Sequence, residues 1–112
     1  MSKTGRQAAH LESLGYDRLR IAELNHDPFL PLAIAAEHTD KVELLTSVAV
    51  AFARNPMSMA TLAHDLNAFS QGRMVLGLGS QVKPHIERRF SMPWYKAARQ
   101  MREFIEAMNA IF

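Results

Sequence analysis

The sequence predicts an α/β fold in which parallel strands alternate with helices. Three observations carry that expectation. Apolar residues switch along the chain between helical spacing and short unbroken runs. Two pairs, Asp27-Pro28 and Asn55-Pro56, open helices soon after strand-like runs. The strand–helix unit recurs at a spacing of roughly 30 residues without the identity of a repeat array. Strands separated by helices of this length imply right-handed crossovers and a parallel sheet.

The first helix covers about 4–14, where Ala8, Leu11 and Leu14 share a face and Gly15 stops the helix. Leu19-Arg20-Ile21-Ala22 forms a short strand. Asp27 caps the second helix, Pro28 takes its first position, and Pro31 lies near enough to the first turn to be tolerated. That helix runs to about His38. Residues 42–51 are rich in β-branched and small apolar side chains without helical period, which predicts a strand buried on both faces. The Asn55-Pro56 helix places Met59, Leu62, Ala63 and Leu66 on one face and ends near Ser70-Gln71-Gly72. Residues 74–78 give a third short strand ended by Gly79, and a long loop over 80–94 is partly helical around 86–90. The last helix, from about Lys96, carries Met101, Phe104, Ile105, Met108, Ile111 and Phe112, the strongest amphipathic stripe in the chain.

Three adjacent parallel strands are therefore expected near 17–23, 42–50 and 74–78, with the helices on one side of a curved sheet. The order opens on a helix with no preceding strand and closes on one with no following strand. Such a sheet has two unpaired edges, so the chain reads as an excerpt prone to self-association as a homo-oligomer.

The 112 residues suffice for one domain, and 48% hydrophobic with 21% charged residues is globular composition. Thirteen Lys+Arg against eleven Asp+Glu is too even to mark a nucleic-acid or membrane surface. The absence of cysteine excludes disulfides and thiolate metal sites. The longest weakly polar run, 42–53, is interrupted by Glu43, Thr46 and Ser47 and falls short of the ~20 residues of a membrane span. A cytoplasmic location, with neither nucleic-acid nor membrane partner, is expected.

In parallel α/β folds the loops after the strands carry function. Here those are 23–27, 52–55 and 79–94. Glu23 and His26 follow the first strand closely, and an acid beside an imidazole serves general acid–base chemistry or cofactor binding. A surface carboxylate and a polar loop histidine fit the same residues. Gly77-Leu78-Gly79-Ser80 ends a strand on two glycines, which admits a ring or phosphate close to the backbone. A tight turn explains it equally, and neither a dinucleotide fingerprint nor a phosphate loop is present. The five histidines form no ligand-spaced set, so no metal is expected. Lys83, His85, Arg88 and Arg89 with Trp94 and Tyr95 form a basic, aromatic loop that suits a phosphate grip or a solvated lid.

Four stretches, read together, resemble the luciferase-like flavin-dependent oxidoreductases, above all the branch using the deazaflavin coenzyme F420. They are Leu14-Gly15-Tyr16-Asp17 with Glu23; His26-Asp27-Pro28-Phe29 through Ala36-Glu37-His38-Thr39; Leu45-Thr46-Ser47-Val48 with Arg54-Asn55-Pro56; and Ser70-Gln71-Gly72-Arg73 through Gly77-Leu78-Gly79. The resemblance covers nearly the whole chain in one register. It implies a partial (β/α)8 TIM barrel over residues 1–112, from the first helix through the fourth, with strand one and strands five to eight absent. Such barrels need about 250 residues.

The resemblance also implies hydride transfer between F420 and a small organic substrate. FMN is the alternative cofactor, with reduced FMN and O2 serving a monooxygenase. Glu23 matches the acid at the end of strand two, and His26, close after it in the chain, completes the candidate catalytic pair. Ser47 and Val48, joined in many family members by a cis peptide under the flavin, are implied cofactor-binding residues together with Glu23, Gly79 and Ser80. The family's sugar-phosphate dehydrogenases have a histidine directly after that acid and a glutamate after the strand-four glycine. Leu24 and Ser80 stand there, so their substrate chemistry does not carry over. The isolated chain is expected to be inactive, and a non-catalytic truncated remnant is the reading from another class.

Overall fold

A computed structural model describes residues 2–112. In chain order it has α1 (Thr4–Ser13), β1 (Arg18–Ile21), α2 (Phe29–His38), β2 (Glu43–Thr46), β3 (Ala49–Val50), α3 (Pro56–Phe69), β4 (Met74–Val75), β5 (Leu78–Gly79) and α4 (Ala97–Ile111). A 3-10 turn at Ala51–Ala53 precedes α3, and a π-helical turn at His85–Arg89 interrupts the loop before α4.

Local signals set the helix ends. After α1, Gly15 adopts φ +93, where its N–H donates to Glu12 O at 3.0 Å and the N–H of Tyr16 reaches Leu11 O at 3.4 Å. Asp27 Oδ2 accepts from the N–H groups of Phe29 and Leu30, both at 2.8 Å, with Pro28 already in helical conformation. Asn55 Oδ1 accepts from the Ser58 N–H at 2.8 Å, and Pro56 opens α3. All three termini match the sequence expectation.

The strands are parallel and in sequence order, β1 beside β2 and β2 beside β4. Two of the three expected strands are split. The 42–50 run breaks between Thr46 and Ala49, where the Ser47–Val48 peptide is cis. The 74–78 run breaks at Leu76-Gly77, and β3 and β5 pair as a separate parallel ladder. At the break, Thr46 replaces the missing main-chain partner. Its hydroxyl donates to Gly77 O at 2.8 Å and accepts from the Gly77 N–H at 2.9 Å.

One sheet face packs on helices: Leu44 lies buried with Ala8, Leu32, Ala35 and Ala36, and Leu19, Ile21 and Met74 pack against that cluster. The other face carries Arg18, Arg20 and Val75, which are exposed. A second cluster joins Ala49–Phe52 to Met59 and Leu66 of α3 and Phe104 and Met108 of α4. The α4 stripe is wider than α3 can cover. Ile105, Ile111 and Phe112 remain 41%, 39% and 61% exposed.

At the end of the sheet where the strands begin, two side chains hold the connections. Glu12 Oε2 accepts from the N–H groups of Asp40, Lys41 and Val42 at 2.7–3.0 Å. These bonds, Lys41's foremost, hold its carboxyl below the ordinary value although partial burial opposes them. The Arg73 guanidinium donates to the carbonyls of Ala36, Thr39, Val42 and Ser70 and to the Thr39 hydroxyl, at 2.8–3.1 Å.

Candidate functional site

The strand ends opposite those two residues bring Glu23, Ser47, Val48, Gly79 and Ser80 together. Ser47 N–H donates to Ile21 O at 2.8 Å, and Glu23 N–H donates to Val48 O at 3.2 Å. In the β3–β5 ladder Val50 stands beside Gly79. Ser47, Val48, Gly79 and Ser80 are each half-buried, with the Arg20 guanidinium against the Ser47 hydroxyl.

The glycines have a different reason from a ligand's approach. A Cβ on Gly79 would be driven into the Val48 side chain, and one on Gly77 into the Thr46 carbonyl oxygen. Both let the 74–79 segment close on the 42–50 segment. The room they leave is filled by the protein itself, and a ring could meet only the surface that results.

Glu23 is buried and paired with a cation. It is 8% exposed, and its carboxylate is fully engaged. Oε1 accepts from the Val50 N–H at 2.7 Å and from Arg54 Nη1 at 2.6 Å, while Oε2 accepts from Arg54 Nη2 at 3.2 Å. The guanidinium also reaches Val50 O at 3.0 Å and Asp27 Oδ1 at 3.2 Å and lies 5.2 Å from the Phe29 ring centroid. His26 is exposed and takes no part in this network among the described residues. The Glu23–His26 pairing expected from sequence is therefore replaced by Glu23–Arg54–Asp27. Arg54 lies within a motif noted in the sequence, but no local pattern marks a pair 31 residues apart.

The basic loop is docked over this end. Ile86 is fully buried, Arg89 donates to the carbonyl oxygen of Leu24 and stacks on Phe90, and Trp94 meets Phe52 edge-on at 5.7 Å between centroids. Lys83, His85 and Arg88 stay exposed. Arg20, on the open sheet face, points Nη1 at Ser47 Oγ across 3.4 Å. No described helix is long and apolar enough to cross a membrane.

A family model described as luciferase-like monooxygenase matches residues 1–112. An uncharacterized protein of Mycobacterium tuberculosis is 54% identical over 112 residues, which are 100% of this chain and 33% of that protein. A second protein of that organism, provisionally named a coenzyme F420-dependent oxidoreductase, is 32% identical over 105 residues, covering 93% of this chain and 30% of its own length. The chain thus spans about a third of the length of the curated relatives it matches. The crystal structure of a monooxygenase from Streptomyces bottropensis superposes with a TM-score of 0.85 at 25% identity, over 96% of this chain and 35% of that one. The oxygenating constituent of 3,6-diketocamphane monooxygenase from Pseudomonas putida, solved with FMN, gives 0.86 at 20% identity over 98% and 34%, a likeness of fold. The architecture is a partial (β/α)8 barrel: parallel strands in sequence order, with helices on one face.

Proposed function

Because the chain belongs to the luciferase-like monooxygenase family, we propose that it forms helix one through helix four of an oxidoreductase barrel and carries part of a deazaflavin site. On this reading β1, β2 with β3, and β4 with β5 serve as barrel strands two to four. The observation that carries it is the half-buried cluster of Ser47, Val48, Gly79 and Ser80 at the carboxyl ends of the strands. Small residues there suit a planar ring lying against backbone. When bound, F420 supplies hydride exchange with a small organic substrate, whereas reduced FMN supplies oxygenation with O2.

The chain's own residues perform the supporting work. Ser47 and Ser80 offer hydroxyls at the surface, and Val48 and Gly79 form its floor. Glu23 orients that floor, with both its oxygens paired. His26, exposed on the neighbouring loop, is the group able to move a proton to or from a substrate. F420 is preferred because the relative provisionally named for it is 32% identical. FMN with O2 is the second reading, and the Streptomyces bottropensis protein of like structure is a monooxygenase.

Titration of the isotope-labelled chain with F420 and with FMN, followed by amide chemical shifts, tests this even where binding is weak. The expected result is a saturable response centred on Ser47, Val48, Gly79 and Ser80, at lower concentration for F420. Silence at those amides with both cofactors refutes the site.

A further inference from the structure

Resting on that site, we infer that Arg54 is its positioning residue: it fixes the backbone under the ring through Glu23 and Val50 and touches no ligand itself. The geometry is a clamp on one residue. Val50 has its N–H held by Glu23 Oε1 at 2.7 Å and its carbonyl oxygen held by Arg54 Nη1 at 3.0 Å. The two clamping groups are joined by a bidentate ion pair at 2.6 and 3.2 Å. Glu23 extends the hold backwards, because its own N–H donates to Val48 O. Val50 stands beside Gly79 in the β3–β5 ladder, and Val48 fills the space over Gly79. One guanidinium therefore governs the backbone of Val48 and Val50 and, through their packing, the level of Gly79.

Arg54 has further reasons to stay where it is. Its side chain is 18% exposed and that of Glu23 only 7%, so the pair is shielded from solvent competition. The second amino group reaches Asp27, whose other oxygen caps α2. The strand-end backbone is thus tied to the start of the neighbouring helix. Lysine cannot reproduce this, since an ammonium is a point charge and cannot span both oxygens of one carboxylate, a second carboxylate and a carbonyl from one plane.

The test compares Arg54→Lys with Arg73→Lys in the 112-residue chain. Arg73 is equally rich in hydrogen bonds but sits at the opposite end of the sheet. Each variant is titrated with F420 and FMN by amide shifts, with folding checked by circular dichroism. Arg54→Lys is expected to stay folded, to expose the Val50 amide to hydrogen exchange, and to weaken the response at Ser47, Val48 and Gly79 about tenfold or more. Arg73→Lys is expected to lower stability while leaving that response unchanged. A responsive wild type with an equally responsive Arg54→Lys overturns the role of Arg54 alone, as does an equal loss in both variants. A wild type silent to both cofactors overturns the site and, with it, this role.

Discussion

Gly77→Ala should be among the most damaging single-methyl additions available to this chain. The new Cβ would be forced into the Thr46 carbonyl oxygen and would lie 3.3 Å from its carbon, against backbone that cannot rotate away. Relief requires moving residues 76–78 away from 46–49 by about an ångström. Three hydrogen bonds cross that gap: the two between Thr46 and Gly77 at 2.8 and 2.9 Å, and Ala49 N–H to Gly77 O at 2.8 Å. At about 1 kcal/mol each they represent about 3 kcal/mol, and overpacking adds about 1–3 kcal/mol if they hold instead. A loss of up to about 3 kcal/mol is expected by either route, a large share of the total stability of a domain this size. Gly15→Ala is the control, because nothing lies within 4 Å of its Cβ position and only the φ of +93 is penalised, at about 1 kcal/mol. Urea unfolding followed by circular dichroism reads both. A Gly77→Ala midpoint no lower than that of Gly15→Ala would show that the two strand segments separate freely and would refute the argument.

Two further outcomes follow from the packing. Glu12 is held below its ordinary 4.5 chiefly by the Lys41 N–H, so its stabilisation is complete above that value and is lost as pH falls below it through the folded-state value. The urea midpoint of the wild type should therefore drop on acidification more steeply than that of Glu12→Gln; parallel curves would remove Glu12 from the acid sensitivity. Phe52→Leu should cost about 1–3 kcal/mol and shift the emission of Trp94, the sole tryptophan, to the red as its edge contact is lost. Unchanged emission would mean that the 80–96 segment is held without that contact.

The elements and their order were legible because their signals are local. Gly15, Asp27-Pro28 and Asn55-Pro56 act within one turn of where they stand, and apolar spacing alone separates α3 from the strands. The strand ends were legible as a place, since any parallel α/β order puts 23–27, 52–55 and 79–94 on one side. The break at Leu76-Gly77 was not, and the one at Ser47-Val48 was signalled only by the family resemblance, because a run such as Leu44-Leu45-Thr46-Ser47-Val48-Ala49 has strand composition throughout. The partners of the charged residues were hidden for the same reason. Glu23 takes its role from Arg54, and Arg73 takes its own from carbonyls up to 37 residues away. No spacing rule connects such partners. The glycines fitted a ligand's approach and a tight turn equally in the sequence, and only the fold shows Thr46 and Val48 against them.

The Glu12 and Arg73 anchors and the Arg54 clamp share no residue, although each grips the β2–β3 stretch, one pair at its start and the other at its finish. Substitutions can therefore accumulate at either end with little interference at the other. Drift in heat tolerance would be written mainly into residues 12, 36–42 and 70–73, while drift at the proposed ligand site would be written around 23–27, 47–54 and 79–80. A breeding programme that selects on one property and sequences the survivors would find its changes gathered at one rim of the sheet.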